Sequence, residues 1–266
     1  MEWPINNSSY KSKRTVQPVL FHLPIPHLVI ISSLLPIFAT IFCIIWSILY
    51  NFQEANHTHC NVYNFFPSVS STISHFAPQK YIWRICIALH CGPRFFIAIS
   101  YYKFHTSRNV GTHKTIYKCL VVLNTVLHIM ELIGLITLSY VSSTENYRIH
   151  ESMFILFIIS SILYMLLTCF LIGYGKTIEL TKQEKKSLNL KVYLVLFKIS
   201  MFLISLYFFY RHNNYCEPRV YSVFSVLEYV IIFTNILFHA TLYCDIPSFC
   251  FTICDSYLVD NGKKHH

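Results

Sequence analysis

Three basic side chains stand inside an apolar run long enough to cross a bilayer. The run is Tyr81–Tyr102, and it carries Arg84, His90 and Arg94. His90 and Arg94 are four residues apart, so they share one helix face. Gly92-Pro93 lies between them, and a proline there frees backbone carbonyls that need new donors. An unpaired charge at the centre of a bilayer costs on the order of 3 kcal/mol or more. Arg84, close to the start of the run, can reach the interface along its own stem. Arg94 lies roughly 20 Å along the helix at ~1.5 Å per residue, so it needs an acidic or polar partner from another span.

Other apolar runs carry narrow polar stripes that can supply such partners. Asn124, His128 and Glu131 recur at i, i+4 and i+7, and Tyr221, Glu228, Asn235 and His239 at i, i+7, i+14 and i+18. Lys198 and Ser205 line a further run, and their face continues into His212 if that helix extends. Lipid cannot solvate these groups, so the stripes turn inward. Small members such as Asn235 and Ser205 are the ordinary hydrogen-bonding glue of packed helices. The ionisable members, with His150, Glu151, Arg211 and Glu217 near one end, are expected to form a polar cavity framed by apolar helices and open toward one leaflet. Such a cavity suits a lipid, with chains between helices and an anionic phosphate against Arg84, Arg94 or Arg211. A histidine beside a carboxylate there is a candidate general base with its orienting group. The candidates are His90, His150 and His212 with Glu131, Glu151 and Glu228; each pairing is equally consistent with a structural contact. No GxSxG, HExxH or phosphate-binding loop occurs, and nothing local marks Ser68, Ser70 or Ser71 as activated.

Composition accounts for these runs. Of 266 residues, 54% are hydrophobic, 17% aromatic and only 12% charged, with mean hydropathy +0.47. Apolar stretches of near-spanning length recur along the chain, so an all-α polytopic bundle of six transmembrane helices is predicted. The spans are placed near 27–50, 81–102, 116–141, 152–173, 192–209 and 220–243, with Pro36 expected to kink the first. Residues 1–26 form an N-terminal segment, 51–80, 142–151 and 210–219 are loops on one side, and 244–266 is a tail. No cleavable signal peptide is evident, since the first residues are polar and the first apolar run is too long. The net charge of +9 sits in short loops, which argues against nucleic acid. Fourteen Lys or Arg flank one side and four the other, which predicts both termini in the cytosol.

On that topology the sequon Asn56-His57-Thr58 is luminal, and Asn56 becomes a glycosylation candidate. Cys60 and Cys216 are the two cysteines in luminal loops, where oxidising conditions favour a disulfide over two free thiols. Cys244, Cys250 and Cys254 follow the last span and are either palmitoylated or inert. With no CxxC pair among ten cysteines, no structural metal is expected.

Several stretches carry a resemblance to a known family. They are Cys60-Asn-Val-Tyr-Asn-Phe-Phe-Pro-Ser-Val-Ser70, then Tyr81-x-Trp-Arg84-x-Cys-Ile-x-Leu-His90-x-x-Pro93-Arg94-Phe, then Tyr140-Val-Ser-Ser-x-Glu145 and Ile149-His-Glu151. Arg211-His-Asn-x-Tyr-Cys-Glu217 and Leu227-Glu-Tyr229 complete the set, in order, over residues 20–245. The chain resembles the post-GPI attachment to proteins factor 2 family, with Tyr63 departing from a common proline. The resemblance implies a six-span Golgi and endoplasmic-reticulum protein that helps restore a saturated acyl chain on lyso-GPI. It implies GPI lipid, lyso-GPI-anchored proteins, membrane lipids and other GPI-remodelling proteins as partners. It names no cofactor and no acyl donor, and it carries Arg94, Glu131, His150, Glu151, Arg211, His212 and Glu228 over without individual roles. A non-catalytic lipid-binding adaptor of another enzyme is the alternative. An ion-coupled transporter is disfavoured by the lack of repeated halves.

Overall fold

Hydrocarbon offers no hydrogen bonds to a peptide group, so a spanning segment must satisfy its backbone internally, as a helix does. The computed structural model describes residues 19–108, 110, 114–174 and 181–254. It contains six helices long and apolar enough to cross a membrane. These are α1 (Ile25–Tyr50), α4 (Gln79–Thr106), α5 (Lys114–Tyr140), α6 (Tyr147–Tyr174), α7 (Lys182–Tyr215) and α8 (Val220–Ala240), and the chain is a multi-pass membrane protein. Two short helices, α2 (Phe52–Ala55) and α3 (Val69–Ile73), lie in the α1–α4 connection, and α9 (Leu242–Asp245) follows α8. Residues 25–249 form one compact unit.

Packing is pairwise: α5 against α6, α7 against α8, and α1 against α4 make the most extensive contacts. α1 shows how a membrane helix sorts its faces. Ser32, Ser33, Pro36, Ala39, Cys43 and Ser47 are buried, whereas Ile31, Leu34, Phe38, Ile41 and Ile45 point outward. Small residues face the bundle and let backbones approach, while bulky ones meet lipid. Gly134 does the same on α5. A Cβ there would lie 3.0 Å from the Phe157 backbone nitrogen and 3.2 Å from the Met153 carbonyl oxygen of α6.

The other unit contains a two-stranded antiparallel ribbon, β1 (Val19–Pro24) with β2 (Cys250–Cys254), with Phe21 opposite Ile253 and a register irregularity between Val19 and Phe21. The sequence predicts an all-α chain, with a polar N-terminal segment at 1–26 and a short tail at 244–266. The ribbon and α9 depart from that. Lys11, Lys13, Arg14, Lys176, Lys263 and Lys264, which weighted the topology argument, lie outside the described residues.

Helix ends also move. α7 runs 34 residues, about 50 Å at ~1.5 Å per residue against a hydrocarbon core of ~30 Å. A capping box closes its start, with Glu184 and Thr181 each bonded to the other's backbone. Arg211 and His212 are therefore helical rather than in a loop, and α6 begins early enough to take in His150 and Glu151. The α1–α4 connection is tied down at one end of the bundle. Cys60 and Cys216 form a disulfide with Cα atoms 5.3 Å apart. Ser222 Oγ accepts from the Phe65 and Phe66 amides (2.8 and 3.1 Å), and Arg219 N donates to the Tyr63 carbonyl (2.8 Å). Asn56 is buried, with Nδ2 donating to the Phe52 carbonyl at 2.9 Å.

Glu145, in the α5–α6 turn, gathers Lys80 (3.1 Å), Arg84 (3.3 Å) and the Ser142 amide (3.0 Å). The Ser142 hydrogen bond first, then Lys80, lowers its carboxyl to about 2. A carboxylate depressed in this way helps stability above its ordinary value near 4.5, and the help disappears as pH falls toward 2. Protection factors for amide exchange at 140–147, with the intrinsic rate at each pH divided out, are expected to fall between pH 4.5 and 2 in the wild type and to lose that pH dependence in Glu145→Gln. Separately, Gly134→Leu should overpack the α5–α6 contact and cost about 1–3 kcal/mol, seen as a lowered unfolding temperature in detergent.

Candidate functional site

Pro36 has no amide hydrogen, so the Ser32 carbonyl one turn earlier loses its helical partner. His90 Nδ1 donates to that oxygen at 2.6 Å. This fixes the ring with Nε2 as acceptor, and Arg94 Nη1 donates to it at 3.3 Å. The proline of one helix thus orients a histidine of another, and the histidine helps hold the arginine four residues on.

Arg94 is the centre of a cluster buried between α4, α5 and α8. Its Nη2 donates to Glu131 Oε1 (3.1 Å) and to His128 Nε2 (3.0 Å). His239 Nε2 lies 2.9 and 3.1 Å from the two Glu131 oxygens, and Arg94 Nη2 lies against the same ring, 2.7 Å from Nε2 and 3.1 Å from Nδ1. Asn235 Nδ2 adds a bond to Glu131 (2.9 Å), and Lys198 donates to Asn235 Oδ1 (2.7 Å) and Ser161 Oγ (2.5 Å). Glu131 is fully buried and Arg94 is 3% exposed. Donor atoms of His128, Glu131 and His239 lie within 4.8 Å of one another, a spacing that suits a metal ion. The guanidinium stands among them and supplies the positive charge, so an ion would have to displace Arg94. The other such group, His59 with Cys60 and Cys216, has both sulfurs committed to the disulfide.

An apolar cavity that opens to the outside borders this cluster. Pro36, Ile87, Leu135, Phe157, Phe224 and Ile232 are among its walls, and His90, Arg94 and His239 border it. Ser70 and Glu228 also line it. Glu228 Oε2 accepts the Val69 amide at 2.9 Å, so an α8 carboxylate positions the backbone immediately before Ser70. Ser70 Oγ is 3.0 Å from His150 Nε2, and His150 Nδ1 is 2.8 Å from the Val141 carbonyl oxygen. A carbonyl only accepts, so Nδ1 carries the hydrogen, Nε2 is the acceptor, and the serine hydroxyl donates to it.

The six histidine and acid candidates therefore separate. His90 and Glu131 belong to the buried cluster, Glu228 holds the α3 backbone, and His150 holds Ser70. Glu151 is exposed on α6. His212 is buried against His59 and Tyr221 and does not line the cavity. Of the arginines expected to meet phosphate, Arg94 is committed inside the bundle. Arg84 bonds Glu145 and the Ser139 and Tyr140 carbonyls, and Arg211 bonds Glu217 and the Tyr207 hydroxyl. Ser70 is one of the serines that nothing local in the sequence marks as activated, because its partner lies 80 positions away. Sequence reasoning placed His128 and His239 on inward stripes without assigning them to the Arg94 cluster.

Removing one partner of a buried pair leaves the other charge uncompensated, a cost of about 3–5 kcal/mol. Glu131→Leu is expected to lower the yield of folded protein sharply. Arg94→Met combined with Glu131→Leu should recover much of the loss, measured by size-exclusion profile and thermal unfolding in detergent.

Residues 24–249 match the family described as Frag1/DRAM/Sfk1/Cwh43P N-terminal domain. "Acyltransferase PGAP2" of Xenopus tropicalis is 41% identical over 220 residues, 83% of this chain and 86% of that protein. "Post-GPI attachment to proteins factor 2" of Drosophila pseudoobscura pseudoobscura is 35% identical, covering 93% of this chain and 95% of its own length. The Caenorhabditis elegans protein of the same name is 37% identical, covering 85% and 87%. No solved structure matches. With most of its length aligned to these proteins, the chain belongs to the post-GPI attachment to proteins factor 2 family, within the Frag1/DRAM/Sfk1/Cwh43P group.

Proposed function

We propose that this protein remodels the lipid of GPI anchors by supporting reacylation of lyso-GPI-anchored proteins with a saturated fatty acid. The work takes place in the luminal leaflet of the Golgi membrane, and of the endoplasmic reticulum, and surface expression of GPI-anchored proteins depends on it. One observation carries the reading: a serine hydroxyl lines an apolar cavity inside the bundle and is bonded to an imidazole oriented to accept its proton. A lipid chain fits the apolar walls, and a base within reach of a hydroxyl is what acyl transfer to oxygen requires. The relative named as an acyltransferase supports the same reaction class. The disulfide supports placing that end of the bundle in an oxidising lumen.

In this reading the base is His150, which the Val141 carbonyl orients toward Ser70. His90 is held by the Ser32 carbonyl and Arg94, and His239 by Glu131 and Arg94, so neither nitrogen pair is free for a substrate proton. Arg84 and Arg211, partly exposed at the disulfide end, are the arginines that can meet an anionic headgroup.

His150→Ala should deplete surface GPI-anchored proteins and raise the share of lyso anchors, while its own abundance stays near that of the wild type. Parallel loss of abundance would make His150 structural. Purified protein in nanodiscs, given lyso-GPI-anchored acceptor and acyl donors, should form diacyl product. If product appears only when a second membrane enzyme is added, the protein is a lipid-binding adaptor instead.

A further inference from the structure

Five hydroxyls crowd the stretch 68–74, and four of them are spent on backbone. Ser68 Oγ accepts the Ser71 amide, Ser71 Oγ donates to the Ala55 carbonyl, Thr72 Oγ1 to the Val69 carbonyl and Ser74 Oγ to the Ser71 carbonyl. Ser74 also touches an imidazole, but it is that of His75 next to it, and Ser74 does not line the cavity. Ser70 differs on three counts. Its hydroxyl is directed to an imidazole from another helix, it is partly exposed, and it lines the apolar cavity.

The surroundings hold it there. The Glu228 carboxylate fixes the Val69 amide, Ser222 fixes the two amides of Phe65 and Phe66, and the Cys60–Cys216 disulfide anchors the start of the loop. His150 in turn cannot turn its Nε2 away without giving up the Val141 carbonyl. A nucleophile, a base within hydrogen-bond reach of it and a third group orienting the base make up the general arrangement for covalent catalysis by an alcohol.

We propose that Ser70 is the acyl-carrying nucleophile of this protein, with His150 as its general base, and that acyl transfer passes through an acyl-serine ester. The inference rests on the acyl-transfer reading above and specifies its route. The donor is a long-chain acyl ester or thioester. Ser70 Oγ forms a bond to the donor carbonyl carbon as its proton moves to His150 Nε2, the donor C–O or C–S bond breaks, and the leaving alcohol or thiol takes that proton. In the second half, the lysolipid hydroxyl gives its proton to His150 and its oxygen attacks the acyl-serine carbonyl. The ester to the lipid forms, the ester to Ser70 breaks, and the serine oxygen regains a proton. The fatty chain stays in the cavity while the headgroups exchange, so donor and acceptor need not be bound together.

The test uses full-length protein in nanodiscs and two readouts. The first is covalent labelling by an alkyl fluorophosphonate, followed by peptide mass spectrometry. The second is transfer of a radiolabelled acyl chain to lyso-GPI-anchored acceptor from acyl thioester or phosphatidylcholine donors. Expected results are labelling on the peptide that contains Ser70, its loss in Ser70→Ala, and a fall in transfer of about a hundredfold or more in His150→Asn. Ser70→Cys should accumulate a thioester released by neutral hydroxylamine, an outcome that a merely structural serine does not give. Size-exclusion profile and an intact disulfide certify that the variants fold. If wild type transfers acyl chains and Ser70→Ala does so at the same rate, the covalent route is overturned and direct transfer by His150 stands. If wild type neither transfers nor labels, the acyl-transfer reading falls together with the nucleophile.

Discussion

A guanidinium and a carboxylate 3.1 Å apart in the middle of an apolar bundle constrain everything near them. Neither ion is tolerable there alone, since desolvation costs several kcal/mol for each and is offset only by close, well-bonded geometry. Arg94 comes from α4 and Glu131 from α5, while His239 and Asn235 from α8 bond the same carboxylate. Three helices are thus registered against one another both along their axes and in rotation. Apolar contact between membrane helices leaves such choices loose, because lipid tails compete on equal terms with side chains. Directional bonds do not.

That registration reaches the cavity. His90 is tied to α1 through the carbonyl that Pro36 leaves open, so α1 joins the same network without contributing an ionisable group. The cluster forms a rigid polar floor and the apolar walls rise from it. The Ser70–His150 pair sits apart from that floor, on a loop helix and the first turns of α6, while the floor meets α6 further along, at Ser161 and Tyr164. Stability and chemistry are divided between two sets of polar residues, and the second reaches the cavity through Ser70 alone.

Much of this was legible before any coordinates. Six spans follow from hydropathy, and Arg94's need for a partner follows from its depth. The i, i+4, i+7 stripe on α5 offered Glu131, and the cysteine pair follows from topology and redox logic. What stayed hidden depended on rotation and on long-range placement. Each residue turns a helix by about 100°, so His150 faces inward while Glu151, next in sequence, faces out. Glu228 reads as an ionisable group inside a membrane, yet here it bonds a main-chain amide from a loop that no local pattern could dock. Ser70 is one of several serines in a polar stretch, and only folding sets it against a ring 80 positions away. The ribbon was invisible for a different reason: its two short strands come from opposite ends of the chain.

The Cys60–Cys216 link also bears on how the protein is made. Its halves are separated by 156 positions, and the second half follows the longest helix. The residues that seat the 63–69 segment, Ser222 and Glu228, come later still. During synthesis the first loop therefore waits, with its serine present but unplaced, until the final membrane crossing has emerged. An unfinished chain carries the hydroxyl of Ser70 without the geometry that would make it reactive, and competence arrives only with α8.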